Sequence, residues 1–354
     1  MNIESLGWND FFEQHFAEYL DSGFIPARVS QEHKNMYRIL CSNGELLAEI
    51  SGKYRYQTSE RSDFPSVGDW VAAEPIGNDR AIIHTLLPRK NKFSRKVPGA
   101  NTIEQVLVAN IDKLFIVCGL DGDFKPRRIE RYLTVAWDNG TIPVVVLNKS
   151  DLCDNPDYDV AEAKAVSFGV PVIPVSAKSG NGIELLKEHI GQKETISLIG
   201  SSGVGKSSII NALLGKEQLK TGEVSDFQSK GRHTTTYREM ILLPEGGILI
   251  DTPGMRELQL WGDEDGLEQT FEDIEALADQ CRFHDCTHNG EPGCAIIMAI
   301  EEGNLEEKRF RSYQKLQKEL SHLEQRQNQK ASLLEKKKWK KIKQWARRRV
   351  NHKT

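Results

Sequence analysis

An eight-residue segment near the middle of the chain, GSSGVGKS at positions 200–207, constrains the fold more than any other feature. It matches the pattern G-x(4)-G-K-[ST], in which glycines turn backbone N–H groups toward phosphates and a lysine reaches the terminal phosphates. The apolar run Ile196–Ile199 leads into it and Ser208–Leu214 follows it. A strand, a glycine-rich loop and a helix in that order predict a nucleotide site in an α/β domain.

The segments around this loop predict a parallel sheet. Lys113–Cys118 and Ile142–Leu147 are apolar, β-branched runs typical of buried parallel strands, and Pro126–Asp138 between them has helical spacing. The other expected elements are helices at Asp159–Phe168, Gly182–Ile190 and Ser207–Leu214 and strands at Val170–Val175, Thr195–Ile199, Glu239–Leu243 and Gly247–Ile250. This alternation predicts a doubly wound sheet with helices on both faces.

Three further motifs follow strand ends and identify the nucleotide as GTP or GDP. Asp151 of Asn148-Lys-Ser-Asp151 can accept two hydrogen bonds from guanine, which adenine cannot donate. Ser176-Ala-Lys178 can support the same base through its backbone. In Asp251-Thr-Pro-Gly254, Asp251 is expected to hold Mg²⁺ through water and the Gly254 amide to sense the γ-phosphate. The predicted nucleotide-binding residues are Asn148, Lys149, Ser150, Asp151, Ser176, Ala177, Lys178, Gly200, Ser201, Ser202, Gly203, Val204, Gly205, Lys206, Ser207, Ser208, Asp251 and Gly254.

Two residues of the phosphate loop have predicted roles in the chemistry. Lys206 is expected to reach the β- and γ-phosphates and to assist catalysis, and the Ser207 hydroxyl to ligate Mg²⁺. The order of the motifs is unusual, because N-K-x-D and S-A-K precede the phosphate loop. A circular permutation accounts for that order, since it moves the termini and leaves the spatial site intact.

The N-terminal part has a different sequence pattern, which is typical of short strands. Residues 1 to about 20 predict a short amphipathic helix, and short β-type segments follow at roughly ten-residue spacing. These are Phe24–Ser30, Met36–Cys41, Glu45–Ile50, Tyr54–Gln57, Asp69–Glu74 and Ala81–Leu86. About five strands in this length predict an OB-fold barrel.

The barrel segment is basic. Its cations are Arg28, Lys53, Arg55, Arg61, Arg89, Lys90, Lys92, Arg95 and Lys96, and Tyr54 and Tyr56 lie among them. Such a surface is typical of RNA binding; the alternative is a barrel that only packs against its neighbour.

Four metal-ligand side chains cluster late in the chain. Cys281, Cys286, His288 and Cys294 offer three thiolates and an imidazole, which predicts a structural tetrahedral Zn²⁺ site. His284 is a rival ligand, and buried free cysteines are the alternative.

The permuted motifs, the Gly231-Arg-His-Thr-Thr-Thr236 segment and the Cys/His cluster together resemble the RsgA (YjeQ) family. The family consists of bacterial circularly permuted GTPases that act late in assembly of the small ribosomal subunit. The resemblance covers nearly the whole chain. It implies a ribosome-stimulated GTP hydrolase with the 30S subunit and 16S rRNA as partners, Thr235 as a Mg²⁺-binding switch residue, and His288 as the zinc-binding histidine.

The residue after Asp251-Thr-Pro-Gly254 is Met255, where most Ras-like enzymes have a glutamine that orients water. An apolar side chain cannot do this, so we expect His233 to be the water-orienting group. The alternative is that His233 contacts only RNA or solvent.

The last 24 residues, 331–354, contain ten Lys or Arg residues and one Glu, whereas the whole chain has a net charge of −4. A basic end on an acidic chain predicts a polyanionic partner, and a solvated end is the alternative. From Glu301 to about Gln344 the composition predicts a long helix.

These features predict three domains: a helix and OB barrel at 1–98, a permuted G domain at 99–257, and a zinc-binding helical domain at 258–354. We expect a cytoplasmic monomer without a membrane segment, since no long apolar run and no signal-like start occur. The rival interpretation is a placeholder that GTP locks on RNA, with incidental hydrolysis. A GTPase acting on a membrane or protein partner is disfavoured by the basic surfaces.

Overall fold

The computed structural model describes residues 2–33, 36–58, 60–96, 104–122, 124–216, 238–252, 265–323 and 325. Backbone contacts group the chain into two compact units, 1–259 and 260–354.

The first unit contains the barrel and the nucleotide-binding sheet. Its strands in the described ranges are β1 (Ile25–His33), β2 (Met36–Cys41), β3 (Gly44–Ile50), β4 (Trp70–Ile76), β5 (Arg80–Leu86), β6 (Lys92–Lys96), β7 (Glu104–Ala109), β8 (Lys113–Gly119), β9 (Ile142–Asn148), β10 (Val172–Pro174), β11 (Thr195–Ile199), β12 (Glu239–Leu242) and β13 (Ile248–Asp251). Its helices there are α1 (Asp10–Phe16), α2 (Gly52–Gln57), α3 (Pro126–Asp138), α4 (Pro156–Val166), α5 (Ile183–Glu188) and α6 (Lys206–Leu214), and 3₁₀ turns occur at Ile3–Leu6, Ala17–Ser22, Arg61–Asp63 and Ser150–Leu152.

Strands β1 to β5 form a closed barrel. They pair in the order β1-β2-β3-β5-β4, and β4 pairs back with β1. Alternate side chains such as Val29, Ile39, Val71 and Ile83 point into its core and are fully buried. Closure removes exposed strand edges, and this five-stranded topology confirms the expected OB-fold.

One local prediction in this region was wrong. Tyr54–Gln57 forms part of helix α2, because the Ser51 hydroxyl accepts a hydrogen bond from the Tyr54 N–H (3.1 Å) and caps the helix. The short N-terminal helix that the sequence predicts is present as α1, and 3₁₀ turns flank it. The antiparallel pair β6–β7 was not predicted.

Not all the basic residues of the barrel lie on its surface. Arg28 is 1% exposed and donates hydrogen bonds to the carbonyls of Leu6, Gly68 and Asn110. Arg89 forms a largely buried ion pair with Asp69 at 2.7 Å. These two arginines therefore hold the barrel together, and the predicted RNA-binding surface must be built from the others.

The nucleotide-binding sheet has the strand order β10-β9-β8-β11-β13-β12. All its pairs are parallel except β12–β13. Phe115, Val146, Leu198 and Ile209 lie in its buried core. The predicted strands and helices of this domain are confirmed, with ends that shift by a few residues.

The two sheets are continuous. Strand β12 pairs with barrel strand β1 in antiparallel fashion at Gln31 and Glu239, so barrel and nucleotide domain share one 11-stranded sheet. Sequence spacing does not predict this pairing, since the partners are 208 residues apart.

The second unit is helical where it is described. It contains α7 (Asp265–Thr270), α8 (Glu272–Ala278), α9 (Ala295–Glu301) and a helical segment at 307–323. Arg309 joins this segment to Asp273 through two hydrogen bonds of 2.6 and 2.7 Å. The predicted long helix from Glu301 is wrong at its start, because residues 302–306 form a break in which Gly303 has a φ of +77°.

The rest of that predicted helix and the basic tail lie outside the described residues. No helix in the described parts of the chain is both long and apolar enough to cross a bilayer.

Candidate nucleotide site and metal centre

The phosphate loop runs from the end of β11 to the start of α6. All five residues of β11 are buried, which fixes the loop's entry, and α6 begins at Lys206. Gly205 has a φ of +92°, and a Cβ there would lie 2.2 Å from the side-chain nitrogen of Asn148. Only glycine therefore allows the loop to pass so close to the neighbouring motif.

Lys206 lies within the loop. Its Nζ donates hydrogen bonds to the carbonyls of Gly200 (2.8 Å) and Ser201 (2.7 Å). Ser207 and Ser208 follow in the first turn of α6 and are half-buried. A lysine ammonium and helical N–H groups at one loop form a concentrated positive site suited to phosphate.

Asn148 connects the three motifs that the sequence spreads over 60 residues. Its side-chain amide donates to the Val204 carbonyl at 2.8 Å and accepts from the Ala177 N–H at 3.1 Å. The side chain is 2% exposed, so both bonds form away from water. The structure thus brings the N-K-S-D, S-A-K and phosphate-loop segments together at the carboxyl ends of β9, β10 and β11.

Asp151 is exposed and oriented by its neighbour. The hydroxyl of the fully buried Ser176 donates to Asp151 Oδ1 at 2.6 Å, which fixes the orientation of the exposed carboxylate. Lys178 is exposed beside this pair. A carboxylate fixed in this way can accept hydrogen bonds from guanine.

Lys149 was predicted only as a member of its motif. It adopts a left-handed conformation with a φ of +66° and forms an ion pair with Asp121, a residue that the sequence did not single out. Asp121 follows the end of β8, and its position after a strand is the signal that could have identified it.

Asp251 lies at the end of β13, across from Glu239 of β12. Burial raises the pKa of the Asp251 carboxyl group; the charge of Lys206 opposes this shift, and Glu239 reinforces it. The neighbouring Thr252 hydroxyl is buried and has no hydrogen-bond partner among the described residues.

These groups fit a magnesium ion. The partly buried Asp251 carboxylate can hold the ion through a water molecule, and the Ser207 hydroxyl can ligate it directly. A cation near Asp251 would offset the cost of its partial burial. His233, Thr235, Gly254 and Met255 lie outside the described residues, so their predicted roles stay predictions.

The second unit contains the metal-ligand cluster. One ligand atom each from Cys281, Cys286, His288 and Cys294 lies within 4.8 Å of the other three. The His288 Nδ1 atom is 3.6 Å from the sulfur of Cys281 and 3.4 Å from that of Cys294, and the two sulfurs are 4.0 Å apart. A tetrahedral zinc site with ordinary bond lengths has edges of about 3.6–3.8 Å, so the cluster is compatible with zinc.

His288 and not His284 joins this cluster. The backbone of His288 has a left-handed φ of +59° and its ring lies beside the cysteine sulfurs, whereas the side chain of His284 is exposed. The Ala295 N–H at the start of α9 donates to the Cys281 sulfur at 3.4 Å. Such a bond favours the thiolate form that binds metal.

Comparisons with known proteins agree with this geometry. The family model described as RsgA GTPase matches residues 86–261, and the one described as 50S ribosome-binding GTPase matches 195–337. The second match begins at β11, where the order of motifs in this chain rejoins that of ordinary GTPases.

A curated protein of Opitutus terrae, named small ribosomal subunit biogenesis GTPase RsgA, is 45% identical over 99% of this chain and 98% of its own length. The crystal structure of YjeQ from Thermotoga maritima matches with a TM-score of 0.63 and 29% identity over 85% of this chain and 98% of that one.

The fold is also that of YloQ, a protein described as a circularly permuted GTPase. That structure matches with a TM-score of 0.61 and 22% identity over 86% of this chain and 96% of its own. Sequence similarity along nearly the whole length, together with this fold, leads to one conclusion: the chain belongs to the RsgA family of GTP hydrolases.

Proposed function

We propose that this chain hydrolyses GTP on the small (30S) ribosomal subunit during late subunit assembly, with 16S rRNA as its partner and the cytoplasm as its location. The observation that carries the proposal is the contact set of Asn148, which joins the guanine-selecting motifs to the phosphate loop. The names of the relatives, which refer to small-subunit biogenesis, supply the biological context.

The proposed nucleotide-site roles follow from position. Asp151 selects guanine, and Lys206 stabilises charge on the β- and γ-phosphates. Ser207 and Thr235 would ligate Mg²⁺ and Asp251 would hold it through water; the ion supplies charge neutralisation when bound. Gly254 senses the γ-phosphate. Cys281, Cys286, His288 and Cys294 hold a structural Zn²⁺.

The exposed face around α2 is the proposed RNA contact of the barrel. Lys53, Arg55 and Arg61 are exposed there, and Tyr56 is 92% exposed. An exposed aromatic ring among cations can stack on an unpaired base while the cations neutralise phosphates. The basic residues of 331–354 are the second proposed RNA contact. We further propose domains at 1–98, 99–257 and 258–354 and a monomeric state.

The test of the proposed function is a single-turnover GTPase assay of the full chain with purified 30S, 50S and 70S particles. We expect the 30S subunit to accelerate hydrolysis strongly, because the partner completes the catalytic arrangement. Equal rates with and without 30S, together with salt-sensitive 30S binding, would favour the placeholder alternative. Acceleration by the 50S particle alone would redirect the proposal to that subunit.

His233→Ala tests the proposed water-orienting group. We expect GTP affinity to stay within about twofold of wild type and 30S-stimulated turnover to fall roughly a hundredfold, since a positioned imidazole contributes about that much. Intrinsic turnover serves as the internal control and should change much less. An unchanged stimulated kcat would remove His233 from the mechanism.

A further inference from the structure

The junction between barrel strand β1 and strand β12 lies close to the nucleotide site. Gln31 of β1 pairs with Glu239 of β12, and Glu239 in turn pairs with Asp251 of β13. One barrel residue is therefore two strands away from the carboxylate assigned to Mg²⁺.

Two side-chain contacts reinforce this junction. Gln31 Nε2 donates a hydrogen bond to Glu239 Oε1 at 2.7 Å. Arg238 Nη1 lies 3.1 Å from Glu32 Oε2, and the two side chains are 14% and 28% exposed. Because this ion pair is partly buried, water and salt screen its charges less than they screen those of an exposed pair. Its attraction therefore holds the two strands together more firmly.

The same network continues to the phosphate loop. Strand β13 pairs in parallel with β11, and the buried Ser197 hydroxyl of β11 donates to the Ile250 carbonyl at 2.9 Å. Strand β11 ends at Ile199, directly before Gly200. A displacement of β12 relative to the barrel would therefore reach both Asp251 and the phosphate loop through hydrogen-bonded strands.

The barrel has other attachments besides this junction. Arg28 binds the Asn110 carbonyl at 3.1 Å, the Ala109 N–H donates to the Val67 carbonyl at 3.0 Å, and Lys193 pairs with Glu4 at 2.7 Å. Because these contacts hold the barrel independently of β12, loss of the Glu32–Arg238 pair should leave the barrel in place. The Glu32–Arg238 pair lies next to Glu239 and is not needed to attach the barrel. It is therefore suited to transmit a change in the barrel to the nucleotide site.

We propose that Gln31 and Glu32 of the barrel are positioning residues for the nucleotide site, which act on Glu239 and Arg238 so that RNA bound to the barrel alters the arrangement around Asp251. This inference rests on the proposed function, because it requires a 30S-bound state. Coupling of this kind is reciprocal, so GTP must change 30S affinity by the same factor by which 30S changes GTP affinity.

The test measures that factor in the full-length, zinc-loaded chain. Affinity for 30S subunits is determined with GDP and with a non-hydrolysable GTP analogue, and analogue affinity is determined with and without 30S. We expect Glu32→Arg and Arg238→Glu each to reduce the coupling factor about fivefold or more, whereas analogue affinity without 30S changes little. The double variant, which carries both charge reversals, restores the ion pair and should regain most of the wild-type coupling factor.

The matched control is the reversal of the exposed pair Glu4 and Lys193, which also joins the N-terminal segment to the nucleotide domain but not through β12. It should keep the wild-type factor, and thermal unfolding of every variant reports any loss of folding. The proposed coupling is overturned if both single variants keep the wild-type coupling factor, or if the double variant does not regain the coupling factor that the single variants lose. A wild-type chain without any 30S effect overturns the proposed function and this coupling with it.

Discussion

Asp151→Asn is expected to lower GTP affinity by roughly 10²- to 10⁴-fold and to create affinity for xanthosine triphosphate. The carboxylate can accept hydrogen bonds from two guanine donors, and each charge-assisted bond contributes about 1.5–3 kcal/mol. In xanthine a carbonyl replaces the exocyclic amino group, and the asparagine amide can donate to it. The change from acceptor to donor therefore reverses the preferred base.

The structure indicates that this substitution preserves the contact that orients the side chain. Ser176 donates to Asp151 Oδ1, and the asparagine oxygen can accept the same bond, so the local backbone keeps its support. Titration of GTP, ATP and xanthosine triphosphate against the variant measures the change. Asp154→Asn, an exposed carboxylate three residues further on, is the matched control and should bind GTP as wild type does. A GTP affinity close to wild type in Asp151→Asn would show that another group recognises the base.

The sequence predicted the parts of the site that depend on local pattern. Asn148-Lys-Ser-Asp151, Ser176-Ala-Lys178 and the phosphate loop follow buried strands, and parallel strands bring their carboxyl ends to one edge of a sheet. Their proximity was therefore predictable, although their order along the chain is permuted. The contacts of Asn148 were not, because they depend on side-chain geometry across two loops.

Predictions from sequence pattern also failed where specific hydrogen bonds outweighed the pattern. The alternation of Tyr54 and Tyr56 resembles a strand, yet the Ser51 cap makes the segment helical. Composition placed Arg28 on an RNA-binding face, whereas three backbone carbonyls compensate for its burial. Both outcomes depend on specific partners that composition and periodicity do not describe.

The pairing of Gln31 with Glu239 shows a different kind of limit. The sequence of an edge strand does not indicate which distant strand will pair with it, since the backbone groups that pair are common to nearly all residues. The sequence thus predicted two neighbouring domains and not the continuous sheet that joins them. The proposed coupling depends on this feature, which only the folded chain reveals.

Removal of zinc is expected to unfold the region around 281–294 and to leave the nucleotide domain folded. Residues 279–294 contain no described helix or strand, and the four metal ligands connect them to the start of α9. In zinc-finger peptides the metal contributes about 10–16 kcal/mol to folding, far more than the few side-chain contacts of this segment can replace. The buried Phe271, Ile296 and Phe310 retain an apolar contact surface for the helices of the second unit.

His288→Ala with His284→Ala as its matched control separates the metal contribution from a general effect of mutation. We expect His288→Ala to lose bound zinc, measured by elemental analysis, and to lose amide protection across 281–294 in hydrogen exchange, whereas His284→Ala keeps both. Protection of α6 and GTP affinity should stay at wild-type levels in either variant, because α6 belongs to the other unit. Retention of zinc in His288→Ala, or equal loss in His284→Ala, would contradict the ligand set. Loss of α6 protection together with the metal would instead show that the two units unfold as one, since independent units lose protection separately.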